Sequence, residues 1–217
     1  MVTPDLVSED DIAKLIISDD LPDEESTFRA YIEANVYDKE GHLIQHRRQP
    51  MRSLTQYFLA LMAIPIIGTF QGASVNQVPN IFANVLGLPS QINSSSNANI
   101  LWSWTIQLGS GTQTFSPTLT GLAAPIANGT GTGELLYSTT SVSYAGSSIY
   151  VSVQVSNSTP NAISVTEIGL WGTIYIQYSN ANVNTYNFLL SYDTFSPAVS
   201  VPAYGMAVFQ ITLLFTG

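Results

Sequence analysis

The chain has no cysteine, no Lys or Arg beyond position 52, and only two histidines in 217 residues. Each absence removes a class of chemistry. Without Cys there is no disulfide, no thiol nucleophile and no thiolate metal site. Two His leave little material for a His-rich metal centre or a Ser-His triad. A phosphate-binding Gly loop needs its Lys, and no Lys follows Lys39. Charged residues make up 10% of the chain, against roughly 25% in an ordinary soluble domain. Long apolar runs are missing as well. The stretch from Tyr57 to Ile67 is too short for a bilayer, which takes about 20 residues, so no membrane span is expected.

What is present argues for a folded β protein. Apolar residues at 45% and aromatics at 11% exclude disorder over most of the chain. Area scaling puts the unfolded surface at roughly 34,000 Å² and the folded surface at roughly 9,700 Å², so about 70% is buried without staples.

The few charges are unevenly placed. All six bases (Lys14, Arg29, Lys39, Arg47, Arg48, Arg52) lie in residues 1–52, with twelve of the fifteen acids and both His42 and His46. Residues 53–217 keep three acids, Glu134, Glu167 and Asp193. An acidic chain whose basic cluster is His46-Arg47-Arg48 with Arg52 has no nucleic-acid footprint, and no direct contact with nucleic acid is expected. The base-free part is instead hydrated by Ser, Thr, Asn, Gln and Tyr. Such a surface barely changes charge in acid, so it is expected to face an acidic or harsh exterior.

Three regions follow along the chain. Residues 1–27 form an acidic N-terminal arm, read equally as a short docked helix capped by Ser8 and carrying Ile12, Leu15 and Ile16, or as a flexible arm that orders on a partner. Residues 28–70 hold a hairpin plus a helix. Phe28, Ala30, Ile32, Ala34 and Val36 alternate with polar residues, Asp38-Lys39-Glu40-Gly41 turns the chain, and 42–47 return. Leu54, Phe58, Leu61 and Met62 then sit at helical spacing, with Ser53 as cap and Pro65 as stop, giving a buried helix. Residues 71–217 read as β structure, with period-two strands at 100–108, 149–155, 174–178 and 206–215 and no intervening helix. The expected fold is mainly β, an antiparallel β-sandwich of jelly-roll type preceded by a charged arm, a β-hairpin and one buried helix.

Catalytic material is thin. Glu134, Glu167 and Asp193 formally allow a two-carboxylate glycosidase site, but nothing in their spacing joins two of them. His42 and His46, four apart in an expected strand, lie roughly 13 Å apart along it, which disfavours zinc. Trp102 and Trp104 share a strand face with Ile100 and Ile106 and read as core. Trp171 is the aromatic left as a sugar-stacking candidate. Sequons at Asn93, Asn128 and Asn157 fall in expected loops or strand ends, where glycosylation would require exposure. No catalytic, cofactor or metal residue is assigned. Neither an enzyme nor a bound cofactor is expected.

The order of motifs carries a resemblance. Ile106-Gln107-Leu108-Gly109-Ser110-Gly111 precedes Pro117-Thr118-Leu119-Thr120-Gly121-Leu122 and Ala124-Pro125-Ile126. Val165-Thr166-Glu167-Ile168-Gly169-Leu170-Trp171 and Tyr192-Asp193-Thr194-Phe195-Ser196-Pro197 follow, then Val201-Pro202-Ala203-Tyr204-Gly205 and a closing apolar strand. Over about residues 100–217 this resembles virion structural proteins, in particular tail, fibre, turret or vertex β-domains. The Ser/Asn/Tyr-rich, base-free composition also looks like proteins of viruses infecting acid-loving thermophilic archaea. The resemblance implies a virion location, homo-oligomers, contacts with other virion proteins, and a role in assembly and host attachment. The alternative from another class is a cell-surface carbohydrate-binding or adhesion module.

Overall fold

A computed structural model describes residues 27–58, 99–177 and 183–216. The expected arm helix, the segment 71–98 and the sequon at Asn93 lie outside those residues. The described strands are β1 (Thr27–Tyr37), β2 (Leu43–Pro50), β3 (Asn99–Gly109), β4 (Leu136–Tyr137), β5 (Ser141–Ala145), β6 (Ser148–Ser156), β7 (Ile163–Gln177), β8 (Val183–Val201) and β9 (Met206–Thr216). They form two antiparallel sheets: one ordered β2-β1-β9-β6-β4, with β5 also on β6, and one ordered β3-β7-β8. The mainly β, antiparallel two-sheet class expected from the alternation is the class observed.

Alternation sets the larger sheet. Ala30, Ile32, Ala34 and Val36 of β1 face inward with Val151, Val153 and Val155 of β6 and Ala207, Phe209, Ile211 and Leu213 of β9. Ile106, Leu108, Ile168, Leu170, Phe188, Leu190 and Phe195 of the smaller sheet meet them in one core. Each fully buried Leu, Ile or Phe contributes roughly 1.5–3 kcal/mol. The hairpin is no appendage, because β1 pairs with β9 from Thr27↔Thr216 to Tyr37↔Met206. First and last described strands therefore lie side by side.

Strand parity also disperses the basic cluster. Arg47 pairs with inward-facing Ala34, and Arg48 with outward-facing Glu33. Arg47 reaches the second sheet, donating to the carbonyls of Ser196 (2.9 Å) and Pro197, and its guanidinium lies 5.5 Å from the Phe195 ring centroid. Gln49 donates to the Thr194 carbonyl at 3.0 Å beside it. One open side of the two layers is thus closed by polar side chains from β2.

The expected helix lies mostly beyond the described residues, with a described start at 56. Ser53 is not its cap. Residues 51–55 run extended along β8 instead: Tyr192 N donates to Ser53 O (3.1 Å), Thr55 N to Leu190 O (2.9 Å), and Leu54 bridges Ser191. The buried backbone of β8 needs partners there, and that requirement prevails over a local cap.

The smaller sheet is covered on both faces. Phe115, Leu119 and Leu122 from the 110–125 connection pack with Leu189, Tyr192 and Trp171 on its outer face. This explains why β8 carries the unbroken buried run Phe188-Leu189-Leu190-Ser191-Tyr192 rather than an alternation.

Candidate functional site

The carboxylates of the β region each hold a separate piece of backbone. Glu167 is fully buried, and its two oxygens accept from Ala123 N (3.0 Å) and Ala124 N (2.7 Å). A bulge between Val165 and Glu167 sets it in place, and β3 passes so close that a Cβ on Gly109 would land on its carboxyl group. Only glycine fits at 109. In the sequence, Glu167 before Ile168-Gly169-Leu170 reads as an acceptor of backbone donors at a strand edge, with Gly169 permitting close approach or a bulge. The donors and the close approach are both observed: a Cβ on Gly169 would meet Leu189 Cδ1 at 2.7 Å and Leu122 Cδ2 at 3.0 Å. The position differs, since β7 is the central strand of its sheet rather than an edge.

Asp193, also buried, accepts from Arg52 N at 3.0 Å and so ties the 51–55 segment to β8. Glu134 accepts from Gly131 N at 2.8 Å within its own loop. The register pairs Glu167 with Thr194 and Ile168 with Asp193, which sends Glu167 and Asp193 to opposite faces of the sheet. A glycosidase pair needs its two carboxyls roughly 5–10 Å apart across one substrate. This register is not that arrangement.

Other buried polar groups follow the same rule. The Tyr137 hydroxyl accepts from Leu108 N (3.3 Å) and donates to Ile126 O (3.2 Å), and burial pushes its pKa to about 12. The Tyr192 hydroxyl accepts from Gln113 N (2.9 Å) and donates to Gln113 O (3.2 Å). Burial raises its pKa as well. Asn157 is 2% exposed; its amide donates to the carbonyls of Asn161 (2.8 Å), Val201 (3.2 Å) and Pro202 (2.9 Å). Its oxygen accepts from Thr159 N (2.9 Å) and Thr159 Oγ1 (2.8 Å). The sequon at Asn157 therefore has no free amide for a glycan in the folded chain. Asn128 is exposed, with Oδ1 accepting from Tyr137 N at 3.0 Å.

The two histidines are held apart. His42 lies in the β1–β2 turn, where Asp38 accepts from its backbone N (2.8 Å) and meets its Nδ1 at 3.1 Å. His46 meets Asn35 Oδ1 at 2.7 Å on the outer sheet face. Asp38, Glu40 and His42 bring one potential ligand atom each within 4.8 Å at the turn, with Asp38 also accepting from Glu40 N (3.0 Å). The turn borders a groove of about 480 Å³ lined further by Asn157, Ser158, Tyr204 and Met206.

Tyr204 stands out beside it. It is 58% exposed and holds a left-handed φ of 57°, rare for an aromatic residue. The turn is held by Tyr204 N to Thr159 O (3.2 Å) and Gly205 N to Pro202 O (3.1 Å). Trp171, the sugar-stacking candidate, is half-buried against Leu122, Leu189 and Tyr192, with its indole N–H buried and unpartnered. Among the described residues the rings of Tyr144 (88%) and Tyr204 are both well exposed, and of the two it is Tyr204 that borders the groove. Alternation alone gives no sign of it, and the Pro-Ala-Tyr-Gly turn is the signal that marks it.

Burial lifts the Asp193 carboxyl to about 6, against smaller opposing effects from the Arg52 and Ser53 backbone and the Arg52 charge. Its folded value lies above the unfolded 3.8. The folded state thus binds this proton more tightly, and stability rises as pH falls from above 6 to below 4. The gain is about 2–3 kcal/mol. Urea midpoints of wild type relative to Asp193→Asn should rise over that range. An identical pH dependence in both proteins would contradict it. A steep loss of wild-type stability between pH 6 and 3 would also contradict the acid-exterior expectation.

Comparison of the chain with protein families, with curated proteins and with solved structures returned no match.

Proposed function

We propose that the chain is a non-enzymatic structural component of a virus particle: a capsid-vertex, turret or tail protein acting in assembly and host attachment. One observation carries the reading. Glu134, Glu167 and Asp193, the only side-chain carboxylates in residues 53–217, all accept backbone hydrogen bonds. The ionisable chemistry of the β region thus serves to fasten loops to sheets, and the surface left over is uncharged and hydroxyl-rich. That combination suits a scaffold under acid or heat better than a site that turns over a substrate. The motifs behind the virion resemblance also touch one another, as Gly109 does Glu167 and Gly169 does Leu122. Jelly-roll winding belongs to the same proposal, supported by the pairing of β1 with β9 at the centre of the larger sheet. Homo-oligomers and contacts with other virion proteins follow from an uncharged surface that favours extensive contacts.

The test is an immunoblot across a density gradient of the source culture. The chain should peak with particle-associated nucleic acid. A peak among soluble proteins or cell envelopes would overturn the virion reading.

Tyr204 favours a second reading, a cell-surface carbohydrate-binding or adhesion module. Its ring is held exposed at the rim of a groove, as a stacking platform for a sugar would be. Glycan-array binding lost on Tyr204→Ala would support that reading, and no binding by the wild-type chain would end it.

A further inference from the structure

We propose that the acidic segment 1–26 docks on the arginine-bearing end of the β1–β2 hairpin of its own chain. Charge division points to it. Residues 1–26 hold nine carboxylates (Asp5, Glu9, Asp10, Asp11, Asp19, Asp20, Asp23, Glu24, Glu25) and one base, Lys14. The remaining five bases all fall between Arg29 and Arg52.

The hairpin gathers three of those bases where the segment joins it. Arg29 shares the outer face of β1 with Tyr31, and the Arg48 guanidinium lies 4.6 Å from the Tyr31 ring centroid. Met51 N donates to Ala30 O at 2.8 Å, which brings Arg52 back alongside the start of β1. All three arginines are exposed. Among the described residues the ion pairs are Lys39–Glu40, His42–Asp38 and His46–Glu33, and none includes these arginines. Glu24 and Glu25 precede Thr27, the first residue of β1, by three and two positions. An extended chain covers about 3.3–3.6 Å per residue, so these carboxylates lie within reach of Arg29, and Asp19, Asp20 and Asp23 within reach of Arg48 and Arg52. A single exposed pair contributes little. Several acids facing three arginines from a tethered segment act together, because the tether replaces a second-order encounter with a high local concentration.

Screening supplies the test, since the Debye length falls from about 10 Å at 0.1 M salt to about 3 Å at 1 M. The full chain is digested with a glutamate-specific protease at low and high salt, with a synthetic 1–26 peptide correcting for salt effects on the protease. Docking predicts cleavage after Glu24 and Glu25 at least about fivefold faster at high salt. The triple variant Arg29→Ser, Arg48→Ser, Arg52→Ser should show the fast rate already at low salt. Asp19→Asn with Asp20→Asn and Asp23→Asn, which leaves the sheets untouched, should do the same. Salt-independent cleavage, or variants that cut at the wild-type rate, would overturn the proposal. Protection that disappears on tenfold dilution would also overturn it, by assigning the occupant to a neighbouring copy.

Discussion

Replacing Glu167 with Ala should cost about 3–4 kcal/mol of unfolding free energy. For a chain of this size that lowers the thermal midpoint by on the order of 10 °C. The substitution removes the acceptor for Ala123 N and Ala124 N, and it empties a space that Gly109 keeps open for the carboxyl. The two partly buried donors lose charge-assisted hydrogen bonds, and the fully buried Glu167 side chain leaves a cavity. Glu167→Gln retains one carbonyl oxygen and the side-chain volume, and it should fall between wild type and the Ala variant. The 110–125 connection covers the outer face of the smaller sheet, so its release should also expose Leu189 and Tyr192. Calorimetry, with quenching of Trp171 fluorescence as a second readout, checks both expectations. A loss under about 1 kcal/mol would mean that the Glu167 contacts are incidental.

Asn157→Ala should be nearly as damaging, at about 3 kcal/mol, because one buried side chain satisfies backbone groups on two connections. It holds Asn161 on one side and Val201 and Pro202 on the other, while organising Thr159. Thr159 O in turn accepts from Tyr204 N. The variant should therefore open the Tyr204 turn before the sheets melt. Hydrogen exchange at 157–161 and 201–205 would accelerate more than at Val153 or Phe209. Asn157→Asp keeps the oxygen acceptors and removes the amide donors. Its loss should match the Ala variant in the 201–205 turn and spare the Thr159 contact. Uniform exchange across the sheets would contradict a local staple.

Much of the larger sheet is legible in the sequence, because β1, β6 and β9 bury one face each and so alternate. The same holds for β3, where Ile106 and Leu108 are buried and Trp104 is half-buried against the core. β8 is not legible by that route. Covered on both faces, it has no period to read, and Pro197 falls within it. β5 escapes for the opposite reason: all five of its residues are exposed, so no apolar face marks it. Ser53 reads locally as a helix cap, but a long-range pairing with Tyr192 claims its carbonyl.

The polar residues divide in a similar way. Glu167 as an acceptor of backbone donors follows from its place beside Gly169. Asn157 does not, because Asn-Ser-Thr reads as a surface sequon, and its burial depends on two connections distant in sequence. Trp171, the expected stacking ring, is half-buried, while Tyr204, which carries no expectation of its own, is exposed. A Trp next to a β-bulge turns into a small second core, while a Tyr in a Pro-Gly turn stays at the surface.

The measurement that bears most directly on a virion role is peptide mass spectrometry of density-purified particles, before and after mild protease treatment of the intact particles. The chain should be enriched in the particle fraction, with peptides from the exposed connections of the β region cut first. Absence from particles, with the chain recovered from cells or medium, would contradict that role.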